Sequence, residues 1–136
     1  MDAVARYRSA SERNDVDDLI ETLAPDAELV SPLSGHMTFR GHDDLRVLLG
    51  AVYGSLTGLR WKEEIGAGSV RVVTGDCRVA GLRLGDAMVL ELGADGKIVR
   101  IRPHLRPWLA TSVFAVLLGT RLLTQPAVLR RALTRA

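Results

Sequence analysis

The sequence of 136 residues has a single cysteine, few aromatic residues and no long apolar run. Because Cys77 is alone, the chain cannot form an internal disulfide, and its composition does not require an oxidising compartment. The longest run without a charged residue, 107–120, falls short of the roughly 18 residues that a membrane-spanning helix needs. Asp2, Arg6 and Glu12 interrupt the apolar stretch that a signal peptide would require. We therefore expect a cytoplasmic protein.

Several kinds of site lack their sequence signatures. No two histidines are spaced i, i+4 and there is no Cys-x-x-Cys, so we expect no metal site. The segment GAGSVR at 66–71 lacks the third glycine and the following helix of a dinucleotide-binding loop, and we expect no cofactor. No Gly-x-Ser-x-Gly nucleophile motif is present. Aromatic residues make up only 4% of the chain and do not alternate with basic residues as base-stacking surfaces require, so we expect no nucleic-acid partner.

Acidic residues are absent from the last part of the chain. Residues 1–95 hold all 16 acidic residues and ten basic ones, a net charge of −6, whereas residues 96–136 hold eight basic residues and no acid. Such a tail can be attracted to an acidic partner, an anionic membrane or nucleic acid. Alternatively, it offsets the acidic body of its own fold or dimer.

The first half of the chain predicts three helices. The first covers 3–13, the second has Asp15 as a suitable N-cap and is expected to end at Pro25, and the third begins at His42. The apolar faces consist of Val4, Tyr7, Ala10 and Ser11; Val16, Leu19, Ile20 and Leu23; and Leu45, Leu48, Leu49 and Val52. Between the second and third helices, 27–32 and 37–41 predict short extended segments joined by a loop through Ser34–Gly35.

After Gly58 the hydrophobic period changes from that of helices to that of strands. Alternating or apolar runs at 59–65, 69–79, 82–92 and 97–105 are separated by turns that contain glycine, of which Asp95–Gly96 is the clearest hairpin signal. Helices followed by long strands predict an α+β fold, in which a curved antiparallel sheet forms a cone around the three N-terminal helices.

A third region follows the strands. Residues 107–123 are apolar almost all round, and Gln125–Pro126 separates them from a short basic end at 127–136. An apolar helix of this kind must be buried somewhere: at the mouth of the cone, against a dimer partner, or in the interfacial layer of a membrane. We therefore divide the chain into a domain at 1–106 and a helical extension at 107–136.

Two stretches resemble a known family. The segment from Ala3 to Gly35, with FRGHDDLRVLL after it, resembles the opening of ketosteroid isomerases and SnoaL-like polyketide cyclases, and LELGADGKIVRIRPHL resembles their last hairpin. The resemblance covers roughly residues 4–105. It implies the nuclear transport factor 2-like fold, in which the cone holds an apolar pocket, and it implies function less directly because one fold hosts many functions.

The resemblance also implies which family positions lack their usual groups. Tyr7 matches the tyrosine that hydrogen-bonds the ligand oxygen in ketosteroid isomerases. The base aspartate falls on Ser31, the second acidic hydrogen bonder falls on Met88, and the last-strand aspartate of cyclases and epoxide hydrolases falls on Pro103. Serine without a base does not take a proton near neutral pH, and a thioether cannot donate one. We therefore do not expect steroid isomerisation or epoxide opening by the standard groups.

Other residues are candidates for chemistry or ligand contact. If Met88 points inward, strand alternation places Asp86 and Leu90 on the same face, where desolvation would raise the pKa of Asp86; alternatively Asp86 lies at a rim in water. His104 is a second candidate for proton transfer, although a lone histidine is often structural. The candidate ligand contacts are Tyr7, Ser31, His36, Tyr53, Trp61, Cys77, Met88 and Leu90, several of which are also plausible core residues.

The sequence as a whole favours a domain that binds a small hydrophobic molecule in an apolar cavity closed by 107–123. Two alternatives stay open. One is an enzyme of the same superfamily, an isomerase, cyclase or hydrolase with a rearranged site that uses Asp86 or a histidine. The other is a module that binds a membrane surface or a protein through its basic, apolar tail. We also expect a homodimer formed through the sheet.

Overall fold

The computed structural model describes residues 2–34 and 36–135, so that Gly35 in the predicted loop, and both terminal residues, lie outside the described residues. The helices are α1 (Ala3–Glu12), α2 (Val16–Glu21), α3 (His42–Gly54), α4 (Trp108–Leu122) and α5 (Pro126–Thr134). The strands are β1 (Leu23–Val30), β2 (Thr38–Arg40), β3 (Thr57–Ile65), β4 (Val70–Val79), β5 (Leu82–Leu92) and β6 (Ile98–Arg106).

The six strands form one curved, open sheet in the order β2-β1-β6-β5-β4-β3. Neighbouring strands run antiparallel except β1 and β6, which are parallel. The long strands β4 and β5 pair without interruption from Val70–Glu91 to Val79–Leu82. The predicted α+β fold with a curved sheet and three N-terminal helices is confirmed. The parallel β1–β6 pair is the departure from a purely antiparallel sheet.

Local sequence signals explain where the elements begin and turn. Asp2 caps α1 by accepting a hydrogen bond from the Ala5 N–H at 2.8 Å, and Asp15 caps α2 through the Asp18 N–H at 3.1 Å. In the hairpin between β5 and β6, Gly96 has φ of 83°, a conformation that glycine adopts without strain. These signals confirm the predicted cap at Asp15 and the predicted hairpin.

The second helix is shorter than its apolar stripe predicted. It ends at Glu21, and the Thr22 hydroxyl donates to the Leu19 carbonyl at 2.6 Å. Leu23 belongs to β1, and Pro25 lies inside that strand instead of ending the helix. Proline is tolerated there because β1 pairs with β2 only from Glu28 onward and its register against β6 shifts before that residue.

The core fills the space between the concave face of the sheet and the helices. Its large, fully buried side chains include Tyr7, Leu19, Leu45, Leu48, Leu49, Leu84, Met88, Leu90 and Ile101. The helix α4 packs against α3, β4, β5 and β6. It buries one face against the body, while on the other side Val116 and Leu123, for example, are 67% and 68% exposed.

The two C-terminal helices turn sharply. Within residues 2–34 and 36–135, no single helix has the length and apolar character to cross a membrane. Together α4 and α5 would have that length and composition, but their axes are bent by 117°. The helix α5 returns to the body, where Arg131 forms two hydrogen bonds with the Asp44 carboxylate, at 2.6 and 3.0 Å.

Candidate functional site

A cavity of about 230 Å³ lies between the sheet and the helices. Its walls come from α1, α3, the inner faces of the long strands, and α4. Phe114 and Leu118 of α4 line it, and closure of the cavity by the segment 107–123 stays a prediction. The lining is almost entirely apolar, which favours an apolar occupant because burial of apolar surface drives binding.

Two tyrosines supply hydroxyl groups to the cavity. The Tyr7 and Tyr53 oxygens are 2.8 Å apart, and their rings meet edge to face with centroids 6.3 Å apart. Burial raises the pKa of each hydroxyl above its ordinary value, so both stay protonated near neutral pH. One proton is used in the bond between the two hydroxyls. The other is available to donate to an oxygen of a ligand.

Asp86 is the acidic residue that lines the cavity within the described chain. It is partly buried on β5, and burial raises the pKa of its carboxyl to about 7. The backbone N–H of His104 donates to the carboxylate at 3.3 Å, and this hydrogen bond by itself lowers the pKa. The negative charge of Asp86 contributes to the raised pKa of Tyr7 and Tyr53. We call Tyr7, Tyr53 and Asp86 the polar cluster.

A fixed indole forms part of the wall. Trp61 is buried, and its Nε1–H donates to the Ser11 hydroxyl at 2.8 Å while its backbone N–H donates to the Glu12 carboxylate at 2.8 Å. The ring lies so close to Gly75 of the next strand that a Cβ there would stand 2.7 Å from the ring and 2.8 Å from the Arg60 carbonyl oxygen. Gly75 is therefore required for this packing.

Cys77 also lines the cavity, but its surroundings do not activate it. The thiol is buried and approaches the Leu84 carbonyl oxygen at 3.6 Å. Burial, together with the charges of Asp86 and Asp76, raises the pKa of the thiol to about 11. A thiol that stays protonated is a poor nucleophile, so Cys77 acts as wall and not as reactive group.

The three positions at which the resemblance predicts that acidic groups are replaced all face the cavity. Ser31, Met88 and Pro103 line it. The Ser31 hydroxyl accepts a hydrogen bond from the Leu33 N–H at 3.1 Å within its own turn. Met88 is fully buried, two residues from Asp86 on the same strand face. The carboxylate of this site thus lies two residues along β5 from the position where the resemblance places one.

Three of the predicted contacts do not line the cavity. His36 is exposed in its loop, and Leu90 is fully buried in the core. His104 is exposed, with its Nδ1 3.2 Å from the Ala87 carbonyl oxygen. It lines a second, more polar depression, to which Asp86 also contributes. Of the two residues predicted for proton transfer, only Asp86 therefore faces the apolar cavity.

Some cavity residues were not predicted individually. Gly119 of α4 lines the cavity, and a Cβ at this position would meet no atom within 4 Å. Ser11 was predicted only as part of a helix face, yet it holds Trp61. Within residues 2–34 and 36–135, no group of three or more His, Cys, Asp or Glu side chains is arranged to hold a metal ion.

Comparisons with solved structures identify the fold. A protein with a cystatin-like fold from Silicibacter pomeroyi is 21% identical, with a TM-score of 0.89 over 96% of this chain and 93% of that one. A steroid delta-isomerase from Pseudomonas aeruginosa is 23% identical, with a TM-score of 0.82 over 92% of each chain. A candidate polyketide cyclase from Sinorhizobium meliloti is 22% identical, with a TM-score of 0.65 over 75% of this chain and 93% of that one.

The family follows from the sequence itself. No curated protein matches the chain. The sequence model of the SnoaL-like domain, however, matches residues 4–101, which is most of the chain and nearly the range over which the resemblance was expected. The chain therefore belongs to the SnoaL-like domain family and has the nuclear transport factor 2-like fold.

Proposed function

We propose that this protein binds a compact apolar molecule that carries one hydrogen-bonding group. The observation that supports this most strongly is an apolar cavity of about 230 Å³ with a polar cluster in its wall. Pockets for drug-sized ligands usually occupy about 300–1,000 Å³, so this cavity suits a molecule of two fused rings better than a larger one. The family resemblance points to polyketide-, steroid- and fatty-acid-like skeletons, and among these the cavity volume favours a small polyketide-like ring system over a four-ring steroid.

The polar cluster would orient the ligand. Tyr7 and Tyr53 share one hydrogen bond and leave one proton for an acceptor, which favours a ketone, phenol or alcohol oxygen. Because Asp86 lines the same cavity as this pair and burial raises its pKa to about 7, its ionised form would accept a hydrogen bond from a hydroxyl ligand. A carboxylate ligand would be disfavoured once Asp86 is charged.

The test uses two matched probes, 2-naphthol and naphthalene, titrated by calorimetry at pH 8. We expect 2-naphthol to bind about fivefold more tightly, because its oxygen gains a net hydrogen bond of about 1 kcal/mol with the polar cluster. Gly119→Phe should abolish binding of both, since the new side chain occupies the empty space beside α4. Gly119→Ala, which adds one methyl group, should preserve it.

Two results would contradict the proposal. One is binding of 2-naphthol that Gly119→Phe leaves unchanged, since the probe would then occupy another place. The other is absence of binding by either probe to a chain that is folded by circular dichroism.

A second function is favoured by the residues that line one cavity: the Asp86 carboxyl, whose pKa burial raises to about 7, shares it with the Tyr7 and Tyr53 hydroxyls. Such a group can remove a proton from the carbon between the carbonyl and the double bond of a β,γ-unsaturated ketone. The enolate oxygen would accept a hydrogen bond from the tyrosine pair, and Asp86 would return the proton to the far carbon of the double bond.

The probe for this reaction is 3-cyclohexen-1-one, whose conversion to the conjugated ketone is followed by ultraviolet absorbance. We expect activity to rise with pH through about 7, as Asp86 ionises, and to fall at least about a hundredfold in Asp86→Asn. Binding of 2-naphthol with no turnover would leave the protein as a binding domain. The homodimer through the sheet, the absence of a nucleic-acid partner and the cytoplasmic location stay predictions.

A further inference from the structure

The helix α4 has two apolar faces, and only one of them is used by the fold. Along the inner face, side chains spaced four residues apart are buried, and they are Ala110, Phe114, Leu118 and Leu122. On the opposite side, Leu109, Val116 and Leu123 follow one another at i, i+7 and i+14, so they form one line along the helix. They are 50%, 67% and 68% exposed.

The start of the helix adds a larger exposed side chain. Trp108 is 78% exposed at the first position of α4. We call Trp108, Leu109, Val116 and Leu123 the outer stripe. Ser112 and Thr120, which are small and uncharged, are also exposed on this side of the helix. A helix with a continuous exposed apolar line costs free energy in water unless a partner covers it.

The C-terminal segment that carries the outer stripe has charges of one sign. Residues 96–136 contain no acidic residue. Arg131 and Arg135 are paired with Asp44, whereas Arg121 and Arg130 are exposed and form no ion pair with a carboxylate of residues 2–34 and 36–135. Two copies packed stripe to stripe would offer these arginines no acidic residue of the tail as a partner. The surface complements an anionic partner instead.

The cavity lies directly behind the outer stripe. Gly119 and Ala115 line the cavity from α4, and Gly119 leaves open space beside it. The bend of 117° between α4 and α5 is unsuited to crossing a bilayer as one rod. It suits a helix that lies in the plane of the surface, with apolar side chains inserted and arginines at the headgroups.

We propose that the outer stripe of α4 docks on an anionic lipid bilayer and that the apolar ligand reaches the cavity from the bilayer, past Gly119. This rests on the proposed function, because it assigns a source to the ligand of the same cavity. An apolar molecule partitions into lipid and is scarce in water. A cover helix that contacts the bilayer would allow the ligand to move between lipid and cavity without crossing water.

The test is flotation of the full chain with vesicles of phosphatidylcholine, alone or mixed with phosphatidylglycerol. We expect binding to the anionic vesicles, weakened by salt. Leu109→Ser/Val116→Ser/Leu123→Ser should lower the affinity on the order of tenfold or more. Arg121→Gln/Arg130→Gln should lower it by about tenfold on anionic vesicles alone. The matched control is Ile65→Ser/Val70→Ser, which removes two other exposed apolar side chains and should leave binding unchanged.

Each outcome is decisive. The inference is overturned if the outer-stripe variant binds anionic vesicles as well as the unaltered chain, or if neutral vesicles bind equally well. It is also overturned if sedimentation shows a dimer that the outer-stripe variant abolishes while vesicles do not bind. Binding of 2-naphthol in the absence of vesicles separates the two proposals. If the unaltered chain and the outer-stripe variant both bind the probe, but neither binds vesicles, the membrane inference fails and the proposed function stands.

Discussion

The two sides of the cavity are built differently. The polar cluster joins α1, α3 and β5, three elements far apart in sequence that the sheet holds in place. Another part of the wall is the single helix α4, which packs by one face and is followed by α5, fixed through the Asp44 ion pairs. From this difference we infer two roles. The polar cluster determines which polar group of the ligand is recognised, and α4 determines the route by which the ligand enters.

The largest effect should come from the buried face of α4. Phe114→Ala removes a ring that covers the cavity and should lower the free energy of unfolding by about 3 kcal/mol, measured by urea denaturation. The control, Val116→Ala, alters a side chain 67% exposed on the same helix and should cost less than about 0.5 kcal/mol. Equal losses in the two variants would show that α4 does not pack by one face.

Asp86 should make the stability of the chain depend on pH. Its folded pKa, about 7, is above its ordinary value, so ionisation costs stability as pH rises toward and through 7. Asp86→Asn removes that cost. The stability of the variant relative to the unaltered chain should therefore rise by about 2–3 kcal/mol between pH 5 and pH 8.

The matched control for Asp86 lies on the neighbouring strand. The Lys62 ammonium beside Asp76 lowers the pKa of that carboxyl, so Asp76→Asn should show no such rise. A relative stability of Asp86→Asn that stays constant with pH would mean that Asp86 is solvated like an ordinary surface carboxylate.

The ion pair between α3 and α5 should have an intermediate effect. Arg131→Ala leaves the buried Asp44 carboxylate with Arg135 alone, at 3.5 Å. The free energy of unfolding should fall by about 1–3 kcal/mol, which is less than for a fully buried pair because Arg131 is half-exposed. The neighbouring Arg130→Ala should cost less than about 0.5 kcal/mol.

Proton linkage provides a second check on this pair. Arg131 holds the pKa of Asp44 below its ordinary value. The ion pair therefore contributes its full stability when the pH is above the ordinary pKa of Asp44, and this contribution is lost as the pH falls through the lowered pKa of the folded chain. Thermal unfolding of Arg131→Ala and the unaltered chain should therefore converge at low pH. If they stay equally far apart there, the loss has another cause.

The smallest effect should come from the tyrosine pair. Tyr7→Phe and Tyr53→Phe each break the 2.8 Å hydrogen bond, and the double variant should be less destabilised than the sum of the two by about 1 kcal/mol. A double-mutant cycle by urea denaturation measures this coupling. Strictly additive losses would show that the hydroxyls act separately.

Short-range patterns predicted most of the fold. The alternation at 82–92 matches β5 residue for residue, and Asp15 caps α2 as its position predicted. The same alternation placed Asp86 on the face of Met88, and both side chains line the cavity, although their roles stay predictions. The pattern failed at Leu23, because an apolar residue one turn beyond a short helix also fits the first position of a buried strand.

Long-range pairings had no sequence signal. Tyr7 and Tyr53 are 46 positions apart, and Asp44 and Arg131 are 87 apart. An acidic residue in the first turn of α3 is suited to the helix dipole alone, yet Asp44 is also held by Arg131 and Arg135 of the tail. An almost uniformly apolar segment such as 107–123 does not reveal which face is buried, since only the small residues Ser112 and Thr120 mark the exposed side.

The most direct measurement is a crystal structure of the chain grown with 2-naphthol. We expect the naphthalene ring inside the cavity against Met88 and Trp61, with its oxygen within hydrogen-bonding distance of Tyr7, Tyr53 or Asp86. A cavity filled by side chains, or a probe bound elsewhere while the cavity stays closed, would contradict the account.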